Sequence, residues 1–100
     1  MHHVLRAADC RYAAAYPHSS AGFSRVSAID RSAGAVHTGL GLCRLDAGGH
    51  IDEHVQSYEE YFYVTRGRPV LILDGKAYRL EEGGCGFIPV GAPHAWLGQE

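Results

Sequence analysis

Nothing in this 100-residue chain is present in excess, and its shortages narrow the class of protein. It has three cysteines, Cys10, Cys43 and Cys85, widely spaced and with no CxxC pair. That pattern argues against a disulfide framework and against a cysteine-based zinc site. Cys43 and Cys85 both fall in apolar, strand-like stretches, where a free cysteine is expected to act as a small buried hydrophobe. No apolar run approaches the roughly 18 residues of a membrane-spanning helix, and the start MHHVLRAADC lacks the apolar core of a signal peptide. The net charge is -2, from 9 basic and 11 acidic side chains, which leaves no basic patch for nucleic acid and no polybasic membrane anchor. The expectation is a soluble cytoplasmic protein with neither nucleic acid nor membrane as partner. A helical period sustained over a dozen residues is also missing.

What is present reads as β-structure. The length allows one domain, which buries about 60–65% of its unfolded surface, near the lower end for independent stability. Hydrophobic residues make up 46% of the chain and aromatics 10%, enough for one packed core. FSRVSAI (Phe23–Ile29) predicts a first strand and HTGLGLCRL (His37–Leu45) a second, with DAGG as the break after it. HIDEHVQ and EYFYVTR follow as further strands. PVLIL, Asp74-Gly75 and KAYRL form the strongest hairpin signal, because Asp-Gly suits a two-residue type I′ turn. CGFIPV and HAWLG close the chain. About eight short antiparallel strands in so few residues predict an all-β jelly-roll barrel, since closure removes exposed sheet edges. CRYAAAYPHSSAG (Cys10–Gly22) shows no strand pattern, so residues 1–22 are expected to form an arm or loop and residues 23–100 the barrel.

The stretch GHIDEHVQSYEEYFYVTRG (Gly49–Gly67) crowds ligand-type side chains just ahead of an aromatic strand. On a helix His50 and His54 would share a face, as in a zinc protease. Such an enzyme needs a glutamate directly after the first histidine; Ile51 is there instead, and YFYVT follows at once as a strand. On a strand, with period two, His54 and Gln56 point the same way. SYE then allows a tight return, and Glu60 opens the next strand with Phe62 on its own face. A carboxylate there can face the imidazole and amide of the neighbouring strand across roughly 5 Å. Far along the chain, Pro89, Gly91 and Pro93 brace the backbone so that His94 enters the final strand in a fixed place.

These residues carry a resemblance to the cupins. The first cupin motif is Gly, five residues, His-x-His, three or four residues, Glu, six residues and Gly; Gly48, His54, Gln56, Glu60 and Gly67 stand on those positions (residues 48–67). The second is Gly, five residues, Pro-x-Gly, two residues, His, three residues and Asn; Gly83, Pro89, Gly91, His94 and Gly98 stand on those (residues 83–98). The resemblance implies a cupin-type double-stranded β-helix and a divalent metal, manganese, iron, nickel or zinc, held by His54, Glu60 and His94. Position 56 would be the fourth ligand. It also implies action on a small organic molecule, by a dioxygenase, isomerase or hydrolase type of chemistry. The alternative is a non-catalytic module that binds or senses a small ligand, with or without metal.

Two positions depart from the pattern: Gln56 replaces the second histidine and Gly98 the asparagine. An amide oxygen is a weaker donor than imidazole and shifts preference toward harder ions; proteins resembling (S)-ureidoglycine aminohydrolases use such a mixed set. Gln56 as ligand and Gln56 as bystander both stay open, as does a site that has decayed and holds nothing. Glu59 is the rival of Glu60, but the motif spacing selects Glu60. Trp96 shares a face with His94 and Phe62 with Glu60, so both are expected to line the cavity. Arg44 either meets an anionic substrate or lies on a solvated outer face, and the outer face is the expectation. Tyr58, Tyr61, Tyr63 and Tyr78 read as ordinary strand residues, and His2, His3, His18 and His37 as surface or loop residues. The chain stops two residues after Gly98, which suggests a barrel completed by a partner chain or the amino-terminal half of a longer two-barrel protein. A homodimer is the expectation.

Overall fold

The architecture comes from a computed structural model, which describes residues 4, 6–16, 18–30, 32 and 39–99. After a single 3₁₀ turn at Ala7–Asp9 the described elements are all strands: β1 Ala13–Ala14, β2 Ser20–Ile29, β3 Leu40–His54, β4 Glu60–Tyr63, β5 Val70–Leu73, β6 Lys76–Arg79, β7 Cys85–Ile88 and β8 His94–Leu97. They form an antiparallel six-stranded sheet in the order β1-β2-β3-β8-β5-β6, faced by a two-stranded sheet of β4 and β7. The all-β jelly-roll expectation holds, and neighbours in the sheets are mostly far apart in sequence.

The strand boundaries differ from the expected ones in instructive places. β3 is one 15-residue strand where two were expected, so DAGG does not end it. The register against β2 shows why. Phe23 pairs with Leu45, but Ala21 pairs with His50, so the Asp46–Gly49 stretch is an outward irregularity in a continuous strand rather than a turn. β2 begins at Ser20, three residues before the apolar pattern does. The supposedly patternless segment contributes β1, whose Ala13 and Ala14 pair with Arg25 and Ser24. Of the expected second strand, His37 lies outside the described residues. The hairpin is as expected: Asp74 and Gly75 both have positive φ, 50° and 80°, as a type I′ turn requires, and Val70 to Leu73 pair with Arg79 to Lys76.

The core is small. Phe23, Val26, Ile51, Val64, Leu71 and Ile88 are buried, and His94 is buried with them. Phe62 meets Trp96 edge to face at 5.1 Å, and Phe62 has that space because Gly86 opposite it offers no side chain. The two cysteines do not behave as expected. Both are free, and Cys43 and Cys85 are exposed rather than buried. The alternation of β7 explains Cys85: Gly86 and Ile88 take the inward positions, which turns Cys85 and Phe87 outward.

Gly98 is the clearest case of backbone contact dictating a residue. Its N–H donates to the carbonyl of Gly49, and its own carbonyl accepts from the N–H of Gly48. A Cβ at position 98 would overlap the carbonyl oxygen of Asp46, so neither alanine nor the motif's asparagine fits there without moving β3. The departure at this position is therefore a packing requirement of this chain. Gly98→Ala should lower the unfolding free energy by about 1–3 kcal/mol, the usual cost of forcing atoms into a filled site. Gly98→Asn should cost at least as much. Urea denaturation measures both; a loss under about 0.5 kcal/mol, the scatter of ordinary surface changes, would show that the two backbones separate freely.

Candidate metal and ligand site

The site begins with strand register. His54, the last residue of β3, is the Cα partner of His94, the first residue of β8. Direct opposition brings the two imidazole rings to 4.2 Å between centroids at an interplanar angle of 56°. Each ring is held the same way. Nδ1 of His54 lies 2.9 Å from the carbonyl oxygen of Asp52, and Nδ1 of His94 lies 3.0 Å from that of Ala92. A carbonyl oxygen only accepts, so both Nδ1 atoms carry the proton and donate. In the neutral rings both Nε2 atoms then keep free lone pairs, the arrangement by which proteins orient a metal-binding histidine.

The backbone that sets His94 is equally specific. Pro89 to Ala92 forms a turn closed by the Ala92 N–H donating to the Pro89 carbonyl at 3.2 Å. Gly91 within it has φ 76°, a value that side chains other than glycine rarely adopt. The Gly91 N–H donates to the carbonyl of Gln56 at 3.0 Å, which ties the two motifs together in space. Asp74 N–H donates to the Pro93 carbonyl at 2.8 Å and fixes the approach to β8 from the other side.

Gln56 and Glu60 complete the group by a different route from the expected one. β3 ends at His54, so His54 and Gln56 do not share a strand face; Gln56 follows the strand and folds its side chain back. Its Nε2 lies 3.3 Å from His54 Nε2 and 3.1 Å from Glu60 Oε1. Both neighbours are acceptors, so the amide donates one hydrogen to each and its oxygen faces elsewhere. Glu60, half-buried at the start of β4, thus joins the histidines through the amide. Among the described residues no three histidine, cysteine, aspartate or glutamate side chains converge as a metal-holding group by themselves. One atom nevertheless asks for a partner: His94 is 1% exposed, and its Nε2 is buried without any hydrogen bond. Two imidazole nitrogens with fixed tautomers, one carboxylate and one amide are a donor set that fits a divalent ion.

The other sequence candidates fall into place around this centre. Phe62 and Trp96, expected to line the cavity, are packed on each other, both half-buried. Arg44 is exposed and lies over the ring of Tyr12 at 4.1 Å, the outer-face position expected for it. His50 belongs to a surface pair with Asp52 at 3.3 Å. Glu59, Tyr58, Tyr61, Tyr63, Tyr78 and His18 are exposed; His2 and His3 lie outside the described residues.

Two residues near the centre escaped the sequence reading. Tyr16 stacks on Phe23 at 5.6 Å and reaches the His54 ring at 6.0 Å. Its φ of 52° places a bulky residue in the left-handed region, and its carbonyl accepts a hydrogen bond from the Ser19 N–H at 3.0 Å. Tyr16 is 41% exposed as a whole, and local burial pushes its hydroxyl above the ordinary range, with Tyr58 and Glu60 adding to the rise and Arg25 opposing it. Arg25 is half-buried, pairs across β2–β3 with Cys43, and stands on the same strand face as Phe23. The Cys43 thiol is likewise raised, first by local burial even though the residue as a whole is exposed, and Arg25 opposes that rise too. A charged residue two positions after a buried phenylalanine was the available signal for Arg25.

An all-β barrel-type fold that brings two imidazoles, an amide and a carboxylate together defines a class, the small β-barrel proteins. The cupin-domain family model matches residues 41–99, and the chain belongs to the cupin family. No curated protein sequence matches it. Solved structures agree on the fold. The chain is similar to the polyketide cyclase RemF from Streptomyces resistomycificus (TM-score 0.90, 23% identity, 99% of this chain and 71% of that one). It is also similar to KdgF from Halomonas sp. (TM-score 0.79, 18% identity, 100% and 84%). A predicted oxalate decarboxylase from Thermotoga maritima is a third (TM-score 0.82, 19% identity, 95% and 86%). At these identities the likeness concerns the fold.

A purely structural histidine and a ligand histidine predict different things for His94. A buried acceptor left unpaired costs about 1–3 kcal/mol, and the single Nδ1 hydrogen bond returns about 0.5–1.5 kcal/mol. The stability change for His94→Leu in the metal-free chain should therefore fall between a loss of about 0.5 kcal/mol and a gain of about 2.5 kcal/mol. Denaturant unfolding tests this, and a loss of several kcal/mol would make His94 a core element instead.

Proposed function

We propose that this chain is a metal-dependent cupin acting on a small organic molecule, with His54, Gln56, Glu60 and His94 holding one divalent ion. The observation that carries this reading is the buried, unpaired Nε2 of His94 directly opposite the second oriented imidazole. Natural interiors rarely leave such an acceptor without a partner, and a cation supplies one. Manganese, iron, nickel and zinc suit the mixed donor set. A bound ion of this kind polarises a substrate oxygen and offers exchangeable positions. The chain's own residues do the rest. Backbone carbonyls of Asp52 and Ala92 orient the rings, and Phe62 and Trp96 give the interior an apolar wall. Gln56 would exchange its two present hydrogen bonds for coordination by turning its amide oxygen inward. The neighbours in fold include a polyketide cyclase, in keeping with chemistry on small organic substrates, and leave dioxygenase, isomerase and hydrolase types equally open.

One observation favours a second reading, a ligand-binding module that works without metal. The Gln56 amide already engages His54 Nε2 and Glu60 together, which leaves His94 Nε2 as the fully buried side-chain polar atom without a partner among the described residues. Elemental analysis of protein purified without chelating resin or added metal separates the two. On the metal reading a divalent ion is present near one per chain, and added ion raises the melting temperature with concentration; at a hundredfold excess over Kd the gain is about 2.7 kcal/mol. His54→Ala should abolish the effect. Gln56→His should keep it, with affinity falling faster below about pH 6.5, because one more imidazole must be neutral to coordinate. Absence of any shift with manganese, iron, nickel, cobalt or zinc would favour the module.

The homodimer is proposed on the state of the smaller sheet. β4 and β7 are four residues each and pair only with one another among the described strands, so each keeps an open edge. A two-stranded sheet is marginal alone, and an open edge invites a further strand. Tyr61 and Phe87 form an exposed aromatic pair on its outer face, 5.1 Å apart. Light scattering at micromolar concentration should return the mass of two chains; a compact monomer would rule the arrangement out.

A further inference from the structure

We propose that Arg25 and Tyr16 form an anion-recognition wall beside the His54–His94 pair, so that the ligand is a small organic anion whose carboxylate or enolate oxygen they hold. This rests on the proposed reading of the barrel as a small-molecule site, but on none of its metal ligands.

Three observations converge. Arg25 is half-buried yet makes no ion pair among the described residues, whose one salt bridge joins His50 and Asp52 on the surface. A guanidinium is costly to withdraw from water without an anion, and its planar fork matches a carboxylate. The fold also makes room for it: the guanidinium lies against Gly41, where any Cβ would overlap it. Tyr16 then connects this cation to the centre. It stacks on Phe23, which shares a strand face with Arg25, and its ring reaches His54. Like any tyrosine its hydroxyl is protonated at neutral pH, hence a hydrogen-bond donor. An anion between Arg25 and Tyr16 would therefore meet two donors and lie next to the imidazole of His54. Glu60, whose charge reaches both Tyr16 and Cys43, stands at the same end and would repel an anion placed on its own side. That leaves the Arg25 wall as the place where negative charge is accepted.

The test uses the full chain after passage over chelating resin, with formate, acetate and benzoate as probes and formamide, acetamide and benzamide as neutral counterparts. Calorimetry and thermal shift should show at least one carboxylate binding tenfold or more tightly than its amide. Arg25→Gln should erase that difference, Arg25→Lys should retain part of it, and Tyr16→Phe should weaken carboxylate binding severalfold. Gly41→Ala perturbs only the flexible end of Arg25, so it should fold and still weaken the carboxylate; it decides the matter if Arg25→Gln does not fold. Equal binding of carboxylates and amides to the unaltered chain, or a preference that survives both Arg25→Gln and Gly41→Ala, would overturn the proposal. Manganese titration of the same variants keeps the two readings apart. Loss of carboxylate preference with manganese binding intact concerns Arg25 alone. A chain that binds none of manganese, iron, nickel, cobalt or zinc but keeps an Arg25-dependent preference contradicts the metal reading alone.

Discussion

The pairing of β3 with β8 is the constraint on which the rest of this structure depends. It joins residues some forty positions apart, sets His54 against His94, and closes the gap between Gly98 and the Asp46–Gly49 stretch. The contact is so close at Gly98 that no side chain is admitted. Close backbone approach at one end and two opposed imidazoles at the other are consequences of one register. A slip by a single residue would turn His94 and Trp96 to the wrong face.

Polar groups inside so small a barrel need partners, and the structure supplies them locally where it can. Carbonyl groups two residues back orient both imidazoles, and the amide of Gln56 bridges His54 to Glu60. What local chemistry leaves over is informative. Among the described residues the Nε2 of His94 is buried without a hydrogen-bond partner, and the half-buried Arg25 makes no ion pair. One is a lone pair suited to a cation and the other a cation suited to an anion.

The fold reading and the site reading drew on different signals. Glycines at fixed positions were legible because Gly48, Gly67, Gly83 and Gly91 all have positive φ, a backbone demand that sequence spacing records directly. The Asp74-Gly75 hairpin was legible for the same reason. The long β3 was not, because DAGG has turn composition while its backbone stays paired on either side of an irregularity. Cys43 and Cys85 are exposed where burial was expected, because apolar neighbours along a strand do not say which of its two faces a residue takes.

The sequence by itself determined the Asp74-Gly75 hairpin, the glycine positions, the family, and which side chains could serve as ligands, since local backbone demands and motif spacing are properties of short stretches. Only the tertiary structure decided how those side chains meet. Gln56 engages His54 from beyond the strand's end, Glu60 reaches the group through that amide, and His94 is left buried with an unpaired nitrogen. Tyr16 and Arg25 come from a segment with no motif at all; the approach of Tyr16 to His54 and the placing of Arg25 against Gly41 arise from packing of β2 and the preceding arm. Distances between strands remote in sequence depend on register and closure, which no local pattern encodes.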